Sequence, residues 1–201
     1  MTPTPLPRGR HRLSRDEVAA IQRSRILRGM TEVMTERGYA DTVVADIIKR
    51  AGVSRETFYQ RFSSKQECFI AALDAATDHL AATLRQTAAG AGTPAERLDR
   101  MIGTYLEVLA ADPPNTRLFL IETYAAGPEA MRRRLASQQR YVDGLAEIAG
   151  AGTQEQRFAC EALVATLVTQ VTARFITDRV ETLGELREPM VALAQRLLPR
   201  K

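Results

Sequence analysis

Tryptophan is absent from this chain, and cysteine and histidine occur only twice each in 201 residues. Cys68 and Cys160 belong to no CxxC pair and make no disulfide framework, so a reducing compartment, the cytoplasm, fits. Both lie in apolar helical stretches and read as small buried side chains. With His11 and His79 alone, no Cys/His/carboxylate cluster has metal-ligand spacing, and neither a metal nor another cofactor is expected. No apolar run reaches ~18 residues and the N-terminus lacks a signal-peptide core, so no membrane partner is expected. A G-x-S-x-G elbow, a phosphate-binding glycine loop and a histidine-based site are all missing, which argues against an enzyme.

What is present is an ordinary apolar share, 45%, enough for a real core in one large domain or two modest ones. The net charge of +4 is mild, but it is unevenly spread. Residues 1–65 hold thirteen Lys and Arg against seven Asp and Glu, a net +6, while residues 66–201 hold fifteen against seventeen, a net −2. A positive N-terminal third suits a polyanionic partner.

Periodicity predicts an all-α chain of about nine helices, with no strand and no internal repeat. Residues 1–13 form a proline-rich arm made basic by Arg8, Arg10 and Arg12, of a kind that follows phosphates or enters a minor groove. Ser14 to Glu17 is a capping box that opens a helix to about Arg37, ended by Gly38. Ser64 to Glu67 is a second box, opening a long helix with Phe69, Leu73, Ala76, Leu80 and Leu84 on one stripe. After the break at 89–92, Thr93, Pro94 and Glu96 start a helix to about Asp112. Further helices are expected at about 113–126, 128–149, 154–179 and 186–198, with Pro189 tolerated only in the first turn of the last.

The most informative segment is 42–65, TVVADIIKRAGVSRETFYQRFSSK. Val44, Ile47, Ile48 and Ala51 make one apolar helix face. Gly52 supplies a left-handed corner and Ser54 an N-cap. Phe58 and Phe62, one turn apart, can lock the following helix down. Arg55, Thr57, Tyr59, Gln60 and Arg61 then face outward, the arrangement of a helix-turn-helix whose second helix enters a major groove of double-stranded DNA. Arg55 is expected to read guanine and Gln60 adenine. Arg61, and Lys65 at the start of the next helix, are expected to meet phosphate.

With Gly38-Tyr39, Thr42, Val44, Asp46-Ile47, the Ala51–Ser54 corner, Thr57-Phe58-Tyr59, Phe62, Ser64-Lys65 and Glu67, the chain resembles the TetR family of transcriptional regulators. The likeness covers about residues 15–70. It implies a DNA-binding head at 14–63 and a ligand-binding and dimerisation domain at 64–201, with 64–88 connecting the two. It also counts Thr42 and Val44 among the DNA-contacting positions, and gives Thr57 and Tyr59 phosphate or thymine-methyl contacts. Val43 departs from the family pattern, because valine cannot cap the second helix where Ser or Thr is usual. Either Thr42 caps one residue earlier or that end is left to water.

The resemblance further implies a homodimer on a palindromic operator, a small, largely apolar effector, and repression relieved by that effector. Val164, Leu167, Val168, Val171 and Phe175, with Met190, Leu193 and Leu197, are the expected dimer interface. Tyr105, Phe119, Glu122, Tyr124, Tyr141, Thr166, Thr169 and Gln170 are the expected pocket, mostly apolar with a few placed polar groups. The alternatives are a helical adaptor for another protein and an activator without ligand release.

Overall fold

The computed structural model describes residues 14–198; the basic arm expected at 1–13 lies outside the described residues. Ten α-helices follow in order: α1 (Arg15–Asp41), α2 (Val44–Ala51), α3 (Arg55–Tyr59), α4 (Lys65–Ala88), α5 (Pro94–Ala111), α6 (Pro113–Arg117), α7 (Thr123–Ala125), α8 (Pro128–Ala149), α9 (Gln154–Ile176) and α10 (Arg187–Leu197). A π-helical turn, Leu118–Glu122, joins α6 to α7, so 113–125 is one helical run. A 3₁₀ turn, Val180–Leu186, precedes α10, and its Leu183 and Leu186 are buried. No strand occurs among the described residues.

Most of the expected punctuation recurs in the backbone; at Ser64 the cap forms, but the Glu67 carboxylate accepts from the Ser63 N–H and hydroxyl, so that expected box stays open. Capping boxes at Ser14 and Thr93 are closed in both directions, and Thr153 forms a third with Gln156. Gly38 breaks α1 with φ 75°, a conformation that any side chain would strain. The helical turn beyond it, through Asp41, carries the chain to an extended Thr42.

One core runs from Ile26 in α1 to Ala194 in α10. Helix α1 packs on α2 and on α4; α4 packs on α5 and α8; α8 lies on α9; and α10 closes over α5 and α9. The α4 stripe is as expected, with Phe69, Leu73, Leu80 and Leu84 buried. Arg187 clamps α10 to α5 through a two-bond pair with Asp99, each bond 2.9 Å. Val18 and Ile21, apolar residues early in α1, stay exposed.

Helix α9 is long and apolar enough to cross a membrane by length and composition, contrary to the sequence expectation. Its Cys160, Leu163, Leu167, Val168, Val171 and Phe175 are buried in the protein's own core. Its other face is exposed, and along it Phe158, Ala162, Ala165, Thr169, Ala173 and Ile176 form a stripe without a charge.

Candidate nucleic-acid interface and effector cavity

Helices α2 and α3 are set by the corner between them. Gly52 is left-handed (φ 61°), its carbonyl accepts from Arg25 Nη2 at 2.9 Å, and its N–H bonds back to α2. Ser54 Oγ accepts from the Thr57 N–H and caps α3. Phe58 and Phe62 are fully or almost fully buried and pin α3 to the core. The opposite side of α3 presents Arg55, Glu56, Tyr59, Gln60 and Arg61 to solvent. Arg55 lies over the Tyr59 ring, 5.3 Å from its centroid, so the two move as one surface. Gln60 Nε2 donates to Glu56 Oε1 at 3.1 Å, which leaves the Gln60 carbonyl outward. Thr57 is half-buried and its hydroxyl is paired with Ser54 at 2.9 Å. Val44 is half-buried against the core.

Two of the expected DNA contacts are engaged within the protein. Thr42 is fully buried, and its hydroxyl donates to the Gly38 carbonyl at 2.7 Å instead of reaching outward or capping α2. Val43 is the N-cap of α2 and makes no side-chain bond. The first amides of α2 are therefore left to solvent or to a phosphate. Lys65 is the second. Its Nζ donates to the carbonyls of Tyr39 (2.8 Å) and Thr42 (2.9 Å) and rests 4.2 Å from the Tyr39 ring centroid. The ammonium thus closes the end of α1 and joins it to α4.

A third element meets this joint. Glu122 ends the π-helical turn, and its Oε2 accepts from the Tyr39 N–H at 2.7 Å. The Thr123 hydroxyl bonds back to the carbonyls of Leu118 and Phe119, both at 3.0 Å. The extra residue swings Glu122 towards the head. Glu122 was expected in a ligand pocket; it is buried, but committed to Tyr39 and to Arg117 at 3.8 Å.

A cavity of about 480 Å³ lies between α4, α5, α8 and α9. Its wall is mainly apolar, with Ala81, Leu84, Met101, Ile102 and Leu167 among the lining residues. Arg85, Arg97 and Arg140 stand on its border with Asp143 and Glu147. Of the expected pocket residues it contains Tyr105 and Tyr141, whose rings meet edge to face 6.4 Å apart. Phe119 instead lines a second cleft, of about 820 Å³, between α1, α4 and the α5–α6 corner. Tyr124 is 65% exposed and carries the Arg134 guanidinium on its ring. Thr169 and Gln170 are exposed on the far face of α9, and Thr166 is half-buried outside the cavity wall. Helical phase decides this: Leu167, Val168 and Val171 turn inward, so 169 and 170 turn away.

The expected dimer residues divide in the same way. Val164, Leu167 and Val168 line the cavity, while Val171, Phe175 and Met190 are buried in the core. Leu193 is half-buried and Leu197 is 41% exposed.

Burial pushes the Cys68 thiol up to about 12 and raises that of Cys160 as well, so neither is a nucleophile. Among the described residues no group of three or more His, Cys, Asp and Glu side chains converges.

Residues 26–72 match the family profile described as bacterial regulatory proteins, tetR family, and residues 91–178 match the tetracyclin repressor-like C-terminal domain. The chain is 27% identical over 173 residues to the HTH-type transcriptional activator FasR of Mycolicibacterium smegmatis, covering 84% of this chain and 77% of that one. It is 28% identical over 112 residues to the repressor KstR of the same organism, 54% of this chain and 55% of the relative. Its fold resembles the fatty acid degradation regulator FadR of Bacillus halodurans, with TM-score 0.79 and 23% identity over 90% of this chain and 97% of that one. It also resembles FadR of Bacillus subtilis in complex with stearoyl-CoA, with TM-score 0.73 and 21% identity over 88% and 97%.

Proposed function

Because the chain belongs to the TetR family of bacterial DNA-binding regulators, we propose that it binds a palindromic operator as a homodimer and is released by a small, largely apolar effector. The head is residues 14–63 and the effector and dimer domain 64–201, the protein working in the cytoplasm on chromosomal DNA. The observation that carries the DNA half is a capped α3 anchored by buried Phe58 and Phe62, with Arg55, Tyr59, Gln60 and Arg61 exposed on the outer side. Such a helix touches too few bases for genomic specificity, and a two-fold pair with α3 helices ~34–36 Å or somewhat more apart doubles the site.

The uncharged exposed stripe of α9 supports the pairing. A face of Phe158, Ala162, Ala165, Thr169, Ala173 and Ile176 gains nothing from water and lets a second helix approach closely. The mainly apolar 480 Å³ cavity supports the effector, being of the size small-ligand sites occupy. The FadR complex with stearoyl-CoA supports a fatty-acyl effector class. Repression is favoured by the KstR relative; activation is the second reading, favoured by the activator FasR, which aligns over more of the chain.

The effector shifts a population of head spacings, and its leverage equals its differential affinity for the two states, typically 1–3 kcal/mol. Helix α4 belongs to both the cavity wall and the joint at Lys65, and so transmits the shift. Selection from random double-stranded DNA tests the reading. A short inverted repeat, bound less tightly when fatty acyl compounds are added, is the expected result. Only weak, salt-sensitive, asymmetric binding would overturn it.

A further inference from the structure

Tyr105 and Tyr141, on the cavity wall, and Arg134, outside it, are buried and carry polar atoms without a partner among the described residues. Tyr105 and Tyr141, which are 5% and 8% exposed, have buried hydroxyl oxygens without a hydrogen-bond partner among the described residues. Arg134 is 5% exposed and its Nη1 is equally orphaned. Its guanidinium rests on the faces of Phe119 (5.6 Å) and Tyr124 (4.9 Å), and has no hydrogen bond and no ion pair among the described residues. The three are neighbours. Tyr141 meets Tyr105 and Phe119 edge to face, and the Arg134 charge is felt at Tyr105 against the strong upward push of burial. Glu122, the other buried charge of this region, is already held by Tyr39 and Arg117.

Leaving a buried donor unmet costs about 1–3 kcal/mol. Aromatic faces offset part of the desolvation of Arg134 but accept no directed bond from Nη1. Two phenolic donors and one unneutralised cation share a single missing complement: an anion with two acceptor oxygens. Both tyrosines also line the mainly apolar cavity.

We propose that the cavity takes an aliphatic carboxylic acid, whose carboxylate displaces the packing that covers the Tyr105 and Tyr141 hydroxyls and pairs with them, on the side of the Arg134 guanidinium, with its chain along Met101, Ile102 and Leu167. This rests on the assignment of the cavity as the effector site. It adds which end of the effector is recognised, and that the end is anionic.

The test is calorimetric titration of the full chain with dodecanoate, 1-dodecanol and dodecanoyl-CoA. Dodecanoate is expected to bind about 10-fold or more tighter than dodecanol, because charge-assisted bonds replace unmet donors. The double variant Tyr105→Phe, Tyr141→Phe should lose that preference, dodecanoate affinity falling further than dodecanol affinity, and should unfold no earlier than wild type, since it only removes unmet hydroxyls. Arg134→Met should also reduce the preference. Equal binding of acid and alcohol, or a preference that survives in the double variant, would overturn the proposal and leave the cavity's role standing. Tighter binding of dodecanoyl-CoA than of dodecanoate would overturn the free carboxylate. Binding of none of the three would remove the effector cavity itself, and this proposal with it.

Discussion

The backbone N–H of Tyr39 donates to the carboxylate of Glu122 at 2.7 Å, joining residues 83 positions apart. The same Tyr39 offers its carbonyl and its ring to Lys65 at the foot of α4. One residue of the head is thus held at once by the effector domain and by the connecting helix.

Glu122→Ala should leave the Tyr39 N–H unmet and cost about 1–3 kcal/mol in chemical denaturation. Glu122→Gln keeps an acceptor and should cost less. If the joint transmits the effector signal, the alanine variant also shows a smaller effector-induced change in operator affinity. An unchanged ratio of affinities with and without effector would assign Glu122 to stability alone.

Arg55→Ala should cost about 1–3 kcal/mol of operator binding and relax specificity at one base position, measured by competition among single-base operator variants. Uniform weakening across all variants would make Arg55 a phosphate contact. Tyr59 supports the Arg55 side chain through its ring, so Tyr59→Ala should weaken the same position.

Lys65→Ala should lower the unfolding free energy by roughly 1.5–3 kcal/mol, because its charged bonds hold two carbonyls at the end of α1. The slope of log affinity against log salt should change by less than about 1, the value expected on losing one phosphate contact. A full unit of slope with unaltered stability would return Lys65 to the DNA interface.

Ala165→Glu places a charge in the uncharged stripe of α9 and should shift the protein to monomer in light scattering at micromolar concentration. Phe175→Ala, on the inward face, should cost about 3–5 kcal/mol of stability through a core cavity. A dimer that survives Ala165→Glu would place the interface elsewhere.

Native protein at pH 8 should resist thiol alkylation at Cys68. With its thiol pushed up to about 12 by burial, roughly one molecule in ten thousand carries the thiolate. Labelling should rise only as denaturant unfolds the chain, and rapid labelling in native buffer would show that the core opens there.

Much of the head was legible in the residues because its signals are local. A serine before Arg-Glu-Thr caps α3, Gly52 turns the corner, and two phenylalanines at i, i+4 fix which side of α3 is buried. Local signals do not say which of two polar neighbours wins a long-range partner. Thr42 and Lys65 were expected outward, yet the carbonyls freed by the break at Gly38 draw both side chains in.

In the remaining two-thirds, the sequence by itself determined the helices and their ends, through caps, prolines and apolar period. The faces were decided only on folding. Helix α9 carries apolar residues on both its buried and its exposed face, so composition could not tell its core side from its open side, and Val168 and Thr169 exchanged their expected places. Packing against α8 and α10 settled that choice. Tertiary structure alone also brought together Tyr105, Arg134 and Tyr141, whose common feature, an unmet bond, exists only once water has been excluded around them.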